Sequence, residues 1–194
     1  MTPSLETPTL SCHARYHAVR FYESDRSLAA IVGKFLSDGL NDGHPAIVIA
    51  IAAHRAAIVR DLVTRRHDVV ELQRTGALLL VDAQNTLDTF MSNGNVEDTK
   101  FKDVVSGILR AGCRDRVDRV VRVYGELVNL LWCDGQQDSA VRVEGLWNSL
   151  AASESFSLVC GYAMGQRHKK ARLDEICGQH THVISADGTL ERVT

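Results

Sequence analysis

The chain has 194 residues, 45% of them hydrophobic and 24% charged, with a formal net charge of −2. That length suits one domain with a full hydrophobic core, and no low-complexity stretch or linker argues for two. The near-neutral balance excludes a general electrostatic pull toward nucleic acid or an anionic membrane.

Residues 1 to 15 carry Pro3 and Pro8, lack periodicity and read as a flexible tail before a single domain over residues 16 to 194. They hold no continuous apolar core of the kind a signal peptide needs, and no run approaches a membrane span, so a cytoplasmic location is expected. The cysteines, Cys12, Cys113, Cys133, Cys160 and Cys177, are odd in number and scattered, which suits reduced thiols rather than a disulfide framework.

His17 to Tyr22 reads as the first strand. Ser24 and Asp25 can cap the helix that follows, where Leu28, Ile31, Val32, Phe35 and Leu36 recur at the helical period; Gly39 and Gly43 mark its end. Ala46 to Ala52 is an apolar run fit for a buried parallel strand, and His54 to Arg66 is a helix expected to bury Ile58, Val59, Leu62 and Val63. Ala77 to Val81, ending in Asp82, is the third strand, and a helix from Asp98 to Leu109 aligns Phe101, Val104, Val105 and Ile108. Val120, Val121 and Val123 form a fourth strand that ends in Tyr124-Gly125-Glu126, with the apolar stretch Leu127 to Trp132 roofing what lies beyond. Ser139 to Ala152 is a helix with Val143, Leu146, Trp147 and Leu150 facing inward, and Phe156 to Tyr162 is the fifth strand. A helix from Arg167 to Cys177, capped by Gly178, precedes two short strands flanking Asp187-Gly188, a hairpin signal. This alternation predicts an α/β fold: a mainly parallel central sheet with helices on both faces and a C-terminal β-hairpin.

In such a sheet the carboxyl ends of the strands meet at a ligand crevice. Candidate ligand-binding residues there are Tyr22, Glu23, Tyr124, Gly125, Glu126, Cys160 and Tyr162, with Asp82 also at a strand end. Glu126 reads either as a ligand anchor or general base or as a strand-end carboxylate, and Gly125 as a residue allowing a tight turn before it.

Other chemistries fare worse. A phosphate loop would require glycines and a Lys-Ser/Thr pair after the first strand, yet Phe21 to Ser27 has no glycine, and Glu23 and Asp25 put negative charge where phosphate would sit. Cys177, His180 and His182 are close enough to suggest a metal, but a structural zinc takes four ligands, usually in pairs, and no second pair is evident. No metal or other cofactor is expected. There is no serine elbow, and Cys160 has no partner nearby in sequence, so no enzyme activity is expected. Arg167 to Arg172 reads as a solvated face before a docking patch; Arg110, Arg114, Arg116, Arg119 and Arg122 form a basic zone largely neutralised by Asp103, Asp115 and Asp118.

His17 with Phe21-Tyr22-Glu23, Tyr124-Gly125-Glu126 with Leu130-Leu131-Trp132, Glu144 with Leu146-Trp147-Asn148 and Leu150, Phe156 to Leu158 with Cys160 and Tyr162, and Ile176-Cys177 with His180 to Val183 occur in this order. Together they resemble the MEDS family, the methanogen and methylotroph sensory domain first recognised in regulators of dichloromethane use, over roughly residues 16 to 185. Gly161 and Ala163 stand where that family more usually carries Ala and Pro. The resemblance implies a RecA-like or KaiC-like core without a phosphate loop, serving as a sensor of small, hydrocarbon-derived molecules. Family members are commonly joined to histidine kinase or DNA-binding parts; this chain carries neither, so its signal is expected to pass to a partner protein such as a histidine kinase or transcription regulator, or through a homodimer. A residual ATPase and a pure protein-interaction module are the alternatives.

Overall fold

The computed structural model describes residues 15–113, 119–164 and 172–193. Strand β1 (His17–Tyr22) leads into α1 (Asp25–Asn41), and β2 (Ala46–Ala50) into α2 (Ala52–Thr64) and a short α3 (Val69–Arg74). After β3 (Leu78–Asp82) come α4 (Ala83–Phe90), the small hairpin β4 (Met91–Ser92) and β5 (Asn95–Val96), and α5 (Asp98–Cys113). Strand β6 (Val121–Gly125), α6 (Leu127–Cys133), α7 (Gln137–Ala151), β7 (Phe156–Ala163), α8 (Leu173–Gly178), β8 (His182–Ile184) and β9 (Leu190–Arg192) complete the described chain.

The main sheet has the order β3-β2-β6-β7-β1-β8-β9. Its strands are parallel except β9, which returns antiparallel to β8 through a turn at Asp187 and Gly188. Every residue of β2 and β6 is buried, because helices cover both faces and neither strand meets water. Alternation along the strands sends Ile47, Ile49, Val121, Val123, Leu158 and Cys160 to a core shared with α4 to α8. Ala46, Val48, Tyr124 and Val159 face a second core beneath α1 to α3. Fully burying one such Val, Leu or Ile is worth about 1.5–3 kcal/mol, so a register slip that swapped the faces would be prohibitive.

Ser24 caps α1 as its sequence suggests, its hydroxyl accepting the Ser27 N–H at 3.3 Å. Gly39 does not end that helix. It lies inside α1, where an added Cβ would come within 2.4 Å of Arg122 Cγ, so the glycine permits close approach of helix and strand. In α2, Ile58 and Leu62 are buried but Val63 is 55% exposed, because the helix presents only a narrow face to the sheet. The short α3 and α4 escape periodicity analysis and start on side-chain caps: Asp68 accepts from Glu71 N–H and Asp82 from Asn85 N–H, each at 3.0 Å. Asp82 is therefore a helix cap, further held by Arg55 at 2.8 Å.

The described part of the last helix begins at Leu173 and Gly178 is its final helical residue, with Gln179 closing it. Residues 1–14 of the expected tail, the start of that helix with Arg167, and Arg114, Arg116, Asp115 and Asp118 of the basic zone lie outside the described residues. Arg122, by contrast, is not part of a surface zone: it is buried between the rings of Tyr16 and Phe35. Arg172 bridges Asp138 and Glu175. Trp132 and Trp147 are both core residues. Cys113, Cys133, Cys160 and Cys177 are free thiols. Among the described residues no helix is long and apolar enough to cross a membrane.

Candidate functional site

Neighbouring strands β2 and β6 send the chain to opposite faces, α2 to one and α6 to the other. That divergence is the geometry that opens a crevice at the carboxyl ends of a parallel sheet. Glu126 sits there, between β6 and α6, with no exposed surface. Its Oε2 accepts the Ile51 N–H at 2.9 Å, beyond the end of β2, and its Oε1 accepts the Tyr124 hydroxyl at 2.8 Å. His54, in the first turn of α2, donates from Nδ1 to the same Oε1. The other ring nitrogen of His54 lies 3.2 Å from Oδ1 of Asp25, whose side chain is exposed at the start of α1. A line of hydrogen-bonding groups thus runs from solvent through Asp25 and His54 to a buried carboxylate.

The electrostatics follow from that line. The hydrogen bond to Glu126, with the negative charges of Glu126 and Asp25, outweighs burial and raises His54 above the ordinary histidine value. Burial first, and the Glu126 carboxylate second, push the Tyr124 and Tyr22 phenols up, so both remain neutral. Tyr22 stands edge-on to the His54 ring at 5.9 Å and receives a 3.4 Å hydrogen bond from Asn129. Asn129 Oδ1 also accepts the Ala163 N–H at 2.8 Å, so one buried amide ties α6 to β1 and β7. Tyr22, His54, Tyr124, Glu126 and Asn129 are all buried.

The sequence candidates do not share one hollow. Tyr22, Tyr124 and Glu126 come together on the α1–α3 side, and Glu23 is exposed beside them. Cys160 and Tyr162 point through the opposite face, as strand alternation requires. Gly125 is not a turn residue: it pairs within the sheet, has no left-handed backbone, and an added Cβ would meet Leu158 Cδ1 at an ordinary 3.6 Å. The close approach is at Gly161, where a Cβ would lie 2.6 Å from the Tyr124 hydroxyl.

Cys160 and Tyr162 belong to a second buried constellation, around Glu144 of α7. The Tyr162 hydroxyl donates to Glu144 Oε1 at 2.7 Å, and the Cys160 thiol to Oε2 at 3.4 Å. His17 Nε2 lies 3.1 Å from Oε2, and His180 Nε2 lies 3.3 Å from Oε1. Burial alone would raise the Glu144 carboxyl, but His180 and His17 outweigh it and hold it far below the carboxylate range. Burial and Glu144 together keep the Cys160 thiol protonated. His17, Glu144, Cys160 and His180 are the described residues that could together hold a metal.

His54 and Asn129 were not singled out by sequence, and Asp25 only as a helix-start residue, because their meeting spans elements without a spacing rule. Glu144 carried a local signal: it falls between Ala140 and Trp147 on the buried stripe of α7, where a carboxylate without partners would be untenable.

The family model of the MEDS domain, "MEthanogen/methylotroph, DcmR Sensory domain", matches residues 16–181. The chain belongs to the MEDS family. Both constellations fall within the matched span, and membership points to a sensory role in signalling. No curated protein matches this MEDS chain significantly. Among solved structures it is similar to the crystal structure of the KaiC-like protein PH0186 from the hyperthermophilic archaeon Pyrococcus horikoshii OT3, with a TM-score of 0.55 and 11% identity over 87% of this chain and 69% of that one. At that identity the likeness is one of fold, and the MEDS core is KaiC-like. A phosphate loop is absent from its first strand–helix junction, where Glu23 and Asp25 flank the Ser24 cap.

Proposed function

We propose that this MEDS domain is a non-catalytic sensor that binds a small, largely apolar molecule and reports it through α6 to a signalling partner protein, such as a histidine kinase or transcription regulator. One observation carries the reading. The helix that begins at buried Glu126 borders a cavity of about 550 Å³ lined by Leu87, Met91, Leu130, Leu131 and Cys133 and also by the polar side chains of Gln84, Asp88, Asp134 and Gln136. That volume lies within the range of small-molecule sites, and the mixed lining suits a hydrocarbon derivative that carries a hydrogen-bonding group. A ligand that favours one of two positions of α6 would be felt at Glu126 and Asn129, since both hold the helix to the sheet. A second cavity, about 600 Å³, lies between α1 and the β8–β9 hairpin, shares no lining residue with the first, and serves as a control.

Native mass spectrometry of the chain purified from its own source tests the proposal. A retained small molecule is expected, lost in Leu130→Trp, which fills the α6 cavity, and kept in Ile31→Trp, which fills the other. Retention unaffected by Leu130→Trp would sink the assignment. One rival, a pure interaction module, predicts no retained molecule at all. A residual ATPase predicts heat on titration with ATP and magnesium, against which Glu23 and Asp25 argue.

A further inference from the structure

We propose that His17, Glu144, Cys160 and His180 form a four-ligand site for a borderline-soft divalent metal, zinc by preference, which pins the segment after α8 to the central sheet. The residues come from β1, α7, β7 and the turn before β8, and all four are buried. Their ligand atoms lie within 4.8 Å of one another. Zinc bonds of about 2.0–2.3 Å place tetrahedral donors about 3.3–3.8 Å apart. His17 lies 3.1 Å and Cys160 3.4 Å from Glu144 Oε2, His17 lies 3.4 Å from Cys160, and His180 lies 3.3 Å from the other carboxylate oxygen, Oε1; with no pair of donors wider than 4.8 Å, the set must draw in to grip one ion.

The outer hydrogen bonds point the same way. His180 Nδ1 lies 2.7 Å from the Ile176 carbonyl, which can only accept, so Nδ1 carries the proton and Nε2 is turned inward. There Nε2 is buried 3.3 Å from Glu144 Oε1, a close contact whose angle falls short of a good hydrogen bond. Asn148 donates its amide N–H to the Gln179 carbonyl at 2.8 Å, which fixes its Oδ1 as the acceptor for His17 Nδ1 at 2.9 Å. Both imidazoles thus present Nε2 to a buried carboxylate. A proton on Nε2 can meet that negative charge, and a divalent cation set between the imidazoles and the carboxylate would take its place. Metal-binding histidines are oriented in this manner by carbonyl and amide oxygens behind them. Two neutral imidazoles, one thiolate and one carboxylate balance a divalent ion, with the Cys160 proton released to solvent on binding. Cys177 and His182, the metal candidates by sequence proximity, stand outside: His182 bonds to Thr181 Oγ1 at 2.8 Å and stacks edge-on against Tyr16.

The full chain, purified after growth with zinc, is expected to hold one zinc per chain by elemental analysis. Cobalt(II) added to the stripped protein should give the intense d–d bands of a tetrahedral site and a thiolate-to-cobalt charge-transfer band. Cys160→Ser should remove the charge-transfer band. Asn148→Ala, which touches no metal, should weaken zinc binding about 10–100-fold while the circular dichroism is retained. His182→Ala should change neither. A folded wild-type chain with no zinc and no cobalt bands would overturn the proposal, leaving a proton-held His180–Glu144 pair. So would Cys177→Ser removing the thiolate band while Cys160→Ser keeps it.

Discussion

His54 and Glu126, 72 residues apart in sequence, share a buried hydrogen bond where β2 and β6 send the chain to opposite sides of the sheet. The contact joins the start of α2 to the start of α6, so a shift of α6 must either carry His54 with it or break a charge-assisted bond.

Glu126→Gln should lower the urea midpoint while leaving a cooperative transition. The glutamine carbonyl can still accept from Ile51, but its amide meets His54 and Tyr124, both donors in the native arrangement. The cost is on the order of 1–3 kcal/mol, against about 3–5 kcal/mol for Glu126→Ala, which strands the buried partners. If Glu126→Gln abolishes cooperative unfolding altogether, Glu126 is a structural keystone and its sensory role is wrong.

The same pair predicts a pH dependence. His54 is raised in the folded state, so its protonated form is favoured by folding. That stability is present in full below the unfolded histidine value of about 6.5 and is lost as pH rises through the higher folded value. Asp25 from α1, Glu126 from the β6–α6 junction and Tyr22 from β1 are the titratable groups facing the ring. Unfolding midpoints measured from pH 6 to 9 should fall across that window in wild type, and the fall should be shallower in Glu126→Gln.

Gly39→Ala should destabilise the fold by about 1–3 kcal/mol although alanine is the better helix former. The new methyl meets Arg122, which is held between Tyr16 and Phe35 and has little room to retreat. A midpoint equal to or above that of wild type would show that α1 can move away from β6.

Asn129→Ala should loosen α6 selectively. It removes the acceptor of the Ala163 N–H and the donor to Tyr22, at a cost of about 1–3 kcal/mol. Amide exchange should quicken at Ala163 and through Leu127–Cys133, while β2 remains protected. Uniform acceleration across the sheet would mean that α6 has no independent motion.

Strands and long helices were legible because their signals are local. The β-branched run at Val120–Val123, the apolar run after Pro45 and the stripe Val143–Trp147–Leu150 each state their own burial. The α6 segment was legible only as an apolar stretch, and α3 and α4 not at all, since one or two turns carry no period to read. The Glu126 carboxylate could be placed at a strand tip, but not its full burial, because its partners Ile51 and His54 come from the β2–α2 junction, 75 and 72 residues earlier in the chain.

Sequence alone determined the alternation of strands and helices, and hence a parallel sheet, together with the missing phosphate grip after β1 and the MEDS resemblance. It also put Tyr22, Tyr124 and Glu126 near one edge. Only the tertiary structure decided which face each tip points through, dividing Tyr124 and Glu126 from Cys160 and Tyr162. It alone brought His17, Glu144, Cys160 and His180 together. The physical reason is range: periodicity and capping are set by neighbours a few residues away, whereas a buried polar cluster is set by which distant strands lie side by side.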